Sequence, residues 1–133
     1  MDPTPDTLAD VLEHAFSARR PSFANEAGLH ARILSELLLW LDGRPSGMVA
    51  TEYRLGARDR LDAFVEVSPA GGIAVEVKTA GGLPAVARQL LRYAEHDEVT
   101  GILLVTTRSA HEAIPSVLLG KPCRVLSLSR WLL

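Results

Sequence analysis

The stretch Arg60-Leu-Asp-Ala-Phe-Val-Glu-Val-Ser-Pro-Ala-Gly-Gly-Ile-Ala-Val-Glu-Val-Lys78 decides the fold of this chain. It has the pattern of two strands joined by a tight Pro-Ala-Gly-Gly turn. Side chains alternate between the faces of a strand, so Glu76 and Lys78 are predicted to project the same way. If the strands pair as a hairpin, Asp62 comes to lie beside them. The stretch therefore predicts two carboxylates and one ammonium on an otherwise apolar sheet.

This charge pattern has two interpretations. Two hard oxygen ligands suit Mg²⁺ or Mn²⁺, and a neighbouring lysine can act on a water molecule or a phosphate. Alternatively, the charges lie on a solvated strand face, where Glu-x-Lys is a common surface pair. Residues 72–79 are apolar on both faces up to Glu76, which is typical of a central strand. Charges in a central strand need a reason, and this favours the metal site.

Around the hairpin, the sequence predicts helices at residues 8–19, 23–41 and 84–95, and a short helix at 109–119. Thr7 and Ser22 are the predicted caps of the first two helices, and Pro84 suits the first turn of the third. The apolar stripe predicted for the second helix comprises Phe23, Ala27, His30, Leu34, Leu37 and Leu41.

Strands are predicted at residues 48–55, 60–67, 73–79, 101–107 and 124–128, and the final Trp131-Leu-Leu is expected to dock on the core. Three meandering strands, a crossover helix and a further strand predict an α/β fold. The expected architecture is a mixed central β-sheet flanked by helices, in a single domain spanning residues 1–133.

Composition limits the possible functions. The chain has 133 residues, enough for one domain, and 47% of them are hydrophobic. A net charge of −2 disfavours a protein held to nucleic acid by charge alone. Cys123 is the single cysteine, which excludes an internal disulfide and a cysteine-based zinc site. No signal peptide or apolar run of about 20 residues is apparent, so we expect a cytoplasmic protein without a membrane segment.

The element order, Asp62 and the Glu76-Val-Lys78 triplet together resemble the PD-(D/E)XK nuclease superfamily, over residues 23–107. This superfamily includes many restriction endonucleases, archaeal Holliday junction resolvases and RecB-type exonuclease domains. The resemblance implies a restriction-endonuclease-like core. It also implies that Asp62 and Glu76 bind Mg²⁺ or Mn²⁺ and that Lys78 serves catalysis.

Two further motifs extend the resemblance. Many members carry a glutamate on the preceding helix, which Glu26 matches as a possible third metal ligand. RecB-type members add Gln-x-x-x-Tyr on the following helix, which stands here as Gln89 to Tyr93. By resemblance, this pair helps to position the substrate or the lysine. The chain departs from the pattern where Leu61 replaces the proline of the family name and where no clear Gly-x-x-Asp precedes the hairpin. It also lacks the cysteines of the iron–sulfur branch.

Other charged residues have simpler interpretations. Alternation places Arg60 on the face of Asp62, where it would approach a phosphate or pair with a carboxylate. Arg88 and Arg92 form an i, i+4 pair that would meet DNA phosphates or lie on a solvated face. Glu52 and Glu66 are interpreted as surface strand residues, and His30 as a core histidine.

The leading hypothesis is a divalent-metal-dependent nuclease that hydrolyses phosphodiester bonds in DNA. Lys78 would assist attack by water or stabilise charge on the phosphate, and the sequence leaves both roles open. A chain of this size suggests a homodimer or a component of a larger complex. A catalytically weak or inactive nuclease-fold binding module in a DNA-processing complex is the alternative. A small-ligand binder is the third hypothesis, disfavoured because the chain lacks a Gly-rich phosphate loop.

Overall fold

A computed structural model describes residues 3–21, 25–42 and 48–131. These residues form three α-helices and six β-strands. Two 3₁₀ turns cover Ser109–Ala113 and Ser129–Trp131. None of the helices in these three ranges is long and apolar enough to cross a membrane. In chain order the elements are α1 (Pro5–Ala18), α2 (Glu26–Leu41), β1 (Met48–Leu55), β2 (Asp59–Ser68), β3 (Gly71–Lys78), α3 (Leu83–Ala94), β4 (Val99–Thr106), β5 (Val117–Leu118) and β6 (Lys121–Ser127).

The six strands form one mixed sheet in the order β1-β2-β3-β4-β6-β5. β1, β2 and β3 run antiparallel to one another, whereas β4 lies parallel to β3 and to β6. α3 connects β3 to its parallel neighbour β4, as the crossover prediction requires. The predicted α/β class with a mixed central sheet and flanking helices is thereby confirmed.

The hairpin lies in the middle of this sheet. β3 is buried along Gly71–Val77, which confirms that it is a central strand. Val75 and Val77 pack with α1 and α2 on one side, here called the α2 face. Ala74 packs with α3 on the opposite side, here called the α3 face. The apolar residues therefore bury both faces of the strand that carries Glu76 and Lys78.

The first helix begins three residues earlier than predicted. Thr4 is its N-cap, because the Thr4 hydroxyl accepts a hydrogen bond from the Thr7 amide at 3.2 Å. Thr7 stands three residues into the helix, and its own hydroxyl accepts from the Thr4 amide at 3.1 Å. The prediction of Thr7 as the cap is wrong because the two threonines form a reciprocal capping box.

The second helix begins later than predicted, at Glu26. Its N-cap is Asn25, whose Oδ1 accepts from the Gly28 amide at 2.9 Å. The predicted cap Ser22 and the predicted first residue Phe23 lie outside the described residues. The buried stripe also differs from the predicted one, since Ala27 is exposed. The buried residues of α2 are Leu29, Ile33, Leu37 and Leu41.

The segment after β4 differs most from expectation. The helix predicted at residues 109–119 is only a 3₁₀ turn at Ser109–Ala113, followed by the short strand β5, which pairs with β6. Pro115 lies between them and cannot donate a helical hydrogen bond. Trp131 docks on the core against Phe16, with ring centroids 5.7 Å apart. Leu132 and Leu133, which share that prediction, lie outside the described residues.

Candidate metal centre

The structure brings Asp62 and Glu76 together where the two central strands part. The β2–β3 ladder pairs Ala63 with Val75 and ends there. Beyond it, Glu76 Oε1 accepts a hydrogen bond from the Asp62 amide at 3.3 Å, and Asp62 Oδ2 accepts from the Val77 amide at 2.7 Å. The two carboxylates therefore occupy the place of the next backbone pair of the ladder, and each is oriented by a backbone N–H.

The ladder on the other side of β2 is also interrupted at Asp62. It pairs Thr51 with Ala63 and Tyr53 with Leu61, and it omits Glu52 and Asp62 between them. Glu52 has a φ of +49°, an unusual value for a residue with a side chain. Asp62 consequently has no paired residue on either neighbouring strand, and its amide donates to the Glu76 carboxylate instead.

Lys78 joins the two carboxylates as predicted. Its Nζ lies 3.4 Å from Glu76 Oε2, which confirms that Glu76 and Lys78 project from the same side of β3. The Lys78 side chain is about one quarter exposed, whereas that of Glu76 is almost wholly buried. The ammonium therefore stands between the buried carboxylate and solvent, where it can also meet an incoming anion.

Burial changes the acidity of Glu76. Its pKa rises from 4.5 to about 7, chiefly because burial disfavours the charged form and also because the charge of Asp62 is close. The ammonium of Lys78 and the hydrogen bond from the Asp62 amide oppose the rise. A second positive charge at this point, such as a divalent cation, would favour the ionised form in the same way.

Glu26 lies near this centre but does not contact either carboxylate. Its Oε1 accepts from the amide and the hydroxyl of Thr79, each at 3.3 Å. Thr79 directly follows Lys78, so Glu26 ties the start of α2 to the end of β3. The predicted proximity of Glu26 to the site is observed, and its role as a ligand stays a prediction.

His30 is partly buried, as predicted for a core histidine, and it is also a neighbour of the site. Its Nε2 lies 3.5 Å from Asp62 Oδ2. That nitrogen is buried and has no hydrogen-bond partner within the described residues. The available sequence signal was the position of His30 one turn after Glu26 on the same helix. A buried ring nitrogen without a hydrogen-bond partner, beside a carboxylate, marks His30 as a candidate member of the centre.

Tyr93 of α3 approaches the carboxylates on the α3 face, to which alternation along β3 also assigns Glu76, and Gln89 lies beside Tyr93. Gln89 Nε2 donates to the Tyr93 hydroxyl at 2.7 Å, and that hydroxyl donates to the Arg60 carbonyl at 3.4 Å. Burial raises the pKa of Tyr93, and the charges of Glu76 and Asp62 raise it further. Tyr93 is therefore a neutral phenol close to both carboxylates.

The three arginines predicted to meet DNA lie in different environments. Arg92 Nε donates to Asp59 Oδ1 at 3.2 Å, so part of its guanidinium serves the fold. Arg88 and Arg60 are exposed. Alternation is irregular between Leu61 on the α3 face and Ala63 on the α2 face, so the shared face of Arg60 and Asp62 stays a prediction.

The side-chain atoms at this centre are of the types that bind a hard divalent cation. Asp62 and Glu76 supply carboxylate oxygens, and the unpartnered His30 nitrogen lies beside them. Across residues 3–21, 25–42 and 48–131, however, no three His, Cys, Asp or Glu side chains are gathered so that they could hold a metal ion. A bound cation would thus require Glu26 or His30 to move closer, or water to complete the shell.

Comparison of the chain with protein-family models, with curated proteins and with solved structures gave no significant match.

Proposed function

We propose that this protein is a divalent-metal-dependent nuclease that hydrolyses phosphodiester bonds in DNA. The observation that carries the proposal is the interlocked pair Asp62 and Glu76, with the Lys78 ammonium 3.4 Å from Glu76. These charges lie where two central strands part, and burying a charge there costs free energy unless the charge is paired and hydrogen-bonded. A restriction-endonuclease-like core, with three antiparallel strands and a parallel fourth, is part of the same proposal.

Asp62 and Glu76 are the residues that would hold Mg²⁺ or Mn²⁺, with Glu26 or His30 as a further ligand. When bound, such a cation supplies charge stabilisation to a phosphate and makes a bound water more acidic. The protein's own contribution is orientation, because the Asp62 and Val77 amides fix the direction of the two carboxylates. Such supporting hydrogen bonds commonly tune the ligands of a metal site.

Lys78 is the residue that would act on the substrate. Its ammonium is partly exposed and stands beside the buried carboxylate, so a phosphate oxygen can approach it from solvent. Assistance to the attacking water and stabilisation of phosphate charge both remain compatible with this position. Tyr93 approaches the same carboxylates from the α3 face. Because its pKa is raised, its hydroxyl stays neutral and can donate or accept a hydrogen bond there.

The alternative is a binding module that retains the fold without useful turnover. Two observations favour it: Lys78 is already paired with Glu76, and the chain has a net charge of −2. A protein without net positive charge binds DNA weakly unless a partner supplies cationic side chains. Both functions are compatible with a homodimer or a larger complex.

One experiment separates the two. Purified protein is incubated with single-stranded, duplex, flapped and four-way DNA in Mg²⁺ or Mn²⁺, alongside Asp62→Ala and Glu95→Ala. Nuclease function predicts metal-dependent cleavage that Asp62→Ala abolishes and that the exposed control Glu95→Ala retains. Cleavage by Asp62→Ala at the normal rate would refute the site. DNA binding without cleavage by the wild type would support the module.

A further inference from the structure

A cavity of about 280 Å³ lies on the α2 face directly beside Asp62. Its apolar walls include Ile33 and Leu34 of α2 and Val75 and Val77 of β3. The α2 stripe contributes to this space. Leu37 and Leu41 are buried as predicted, but Ile33 is buried in place of Leu34, which lies partly exposed at the margin. The sequence did not predict this cavity, and of Asp62, Glu76 and Lys78 only Asp62 belongs to its lining.

The size of the cavity limits its occupant. A protein cavity of about 150 Å³ is enough to hold a benzene ring. At about 280 Å³, this one has space for a single planar heterocycle, and not for a stacked duplex or a base pair. A base that enters it must already be unpaired or must leave its stack.

The polar groups at the cavity limit the occupant further. Glu52 and Asp62 contribute carboxylates, and Thr51 and His30 complete the polar part of the lining. Away from the metal centre, a carboxylate in the lining repels a phosphate but accepts hydrogen bonds from the exocyclic amino groups of adenine, cytosine and guanine. The part of a nucleotide that suits this cavity is therefore its base.

The position of the cavity relates it to the proposed reaction. Asp62 belongs both to its lining and to the carboxylate pair, so the cavity and the centre share a side chain. Alternation along β3 places Glu76 and Lys78 on the face of Ala74, opposite the cavity, so Asp62 is the side chain that joins the carboxylate pair to the cavity. A strand whose phosphate lies at the carboxylates would thus present a neighbouring base to the cavity.

We infer that the cavity binds one unpaired nucleobase of the strand being cut, next to the phosphate at Asp62 and Glu76. The inference rests on the proposed nuclease function and adds its substrate class: DNA with single-stranded character at the cut. It also adds a preference for bases that carry an amino group over thymine, because the polar part of the lining includes the acidic residue Glu52.

Filling the cavity tests the inference without changing the carboxylates or the lysine. Ala31 lines the cavity from an exposed position on α2, so Ala31→Phe would occupy its entrance. Ser35→Phe adds the same ring one helical turn away, at an exposed position outside the lining. The substrate is a single-stranded oligonucleotide in which one abasic residue is moved stepwise past the cut.

Wild-type protein and Ser35→Phe should cleave about tenfold more slowly when the abasic residue occupies one particular position, the scale of losing one base contact. Ala31→Phe should cleave the intact strand at this reduced rate and should ignore the abasic residue. Equal sensitivity at every position, or normal cleavage by Ala31→Phe, would overturn the inference.

A second measurement decides the inference if the wild type cleaves no DNA, in which case the nuclease proposal fails. Deoxyadenosine is titrated into the metal-free protein, and amide NMR signals are recorded. Shifts at Ala31 and Thr51 in the wild type and in Ser35→Phe, abolished by Ala31→Phe, would support the base site by itself. Shifts elsewhere only, or no shifts, would overturn it.

Discussion

Replacing Glu76 by glutamine should make the metal-free protein less sensitive to pH. Glu76 is only 3% exposed, and its pKa is raised to about 7 by burial and by the neighbouring charge of Asp62. Glutamine has nearly the same shape and can still accept a hydrogen bond from the Asp62 amide. The substitution therefore removes the titration while largely retaining the packing.

The sign and size of the effect follow from the two pKa values. Between pH 4.5 and about 7, folded protein keeps the Glu76 proton and the unfolded chain releases it. The free energy of unfolding must then fall as pH rises through this window. Since one pKa unit corresponds to about 1.4 kcal/mol, the wild type should lose roughly 3 kcal/mol that Glu76→Gln retains.

Urea denaturation in the presence of a chelator, followed by tryptophan fluorescence, measures this difference. Curves recorded between about pH 4 and pH 8 are compared for the wild type, Glu76→Gln and Glu95→Gln, so that titrations common to all three cancel. Glu95 is exposed at the end of α3, and its variant should follow the wild type. Identical pH dependence in all three proteins would refute the account of Glu76.

Three further outcomes are expected. Lys78→Ala should bind Mn²⁺ like the wild type in calorimetric titration but cleave DNA about a hundredfold more slowly, since it loses a charge-stabilising group and no ligand; loss of metal binding would mean that Lys78 has another role. Tyr93→Phe should reduce cleavage by more than its loss of stability explains, because its hydroxyl lies near both carboxylates; unchanged cleavage would reduce Tyr93 and Gln89 to packing residues. Light scattering at micromolar concentration should give the mass of a homodimer, the commonest symmetric assembly, whereas a monomer with full activity would exclude the need for a second copy.

The sequence predicted the hairpin and its charges well because both depend on local rules. Alternation along β3 is regular, so the positions of Glu76 and Lys78 follow from their spacing of two. The Pro69-Ala70 turn and the apolar residues on both faces located the strand in the sheet's centre. Two paired strands joined by a tight turn were enough to bring Asp62 beside Glu76 and Lys78.

The remaining features depend on contacts that spacing alone does not reveal. The break in alternation at Asp62 accompanies the positive φ of Glu52 on the neighbouring strand, which no turn residue announces. Glu52 is an exposed strand residue, as predicted, and it also belongs to the cavity lining, which strand alternation alone does not reveal. The sequence of α2 is compatible with two neighbouring apolar stripes, one of which includes His30. Tertiary packing buries the stripe that begins at Leu29.

The hydrogen bonds of the carboxylates explain how two acidic groups can remain in the middle of the sheet. Each replaces a ladder acceptor, so the Asp62 and Val77 amides are satisfied although the strands have parted. An ionised carboxylate accepts more than one hydrogen bond, so these contacts leave capacity for a cation. The backbone thereby fixes the orientation of both groups before any metal binds. Burial and the nearby charge of Asp62 raise the pKa of Glu76, and a bound cation would favour its ionised form instead. Metal affinity and the stability of this strand opening should consequently depend on the same two side chains.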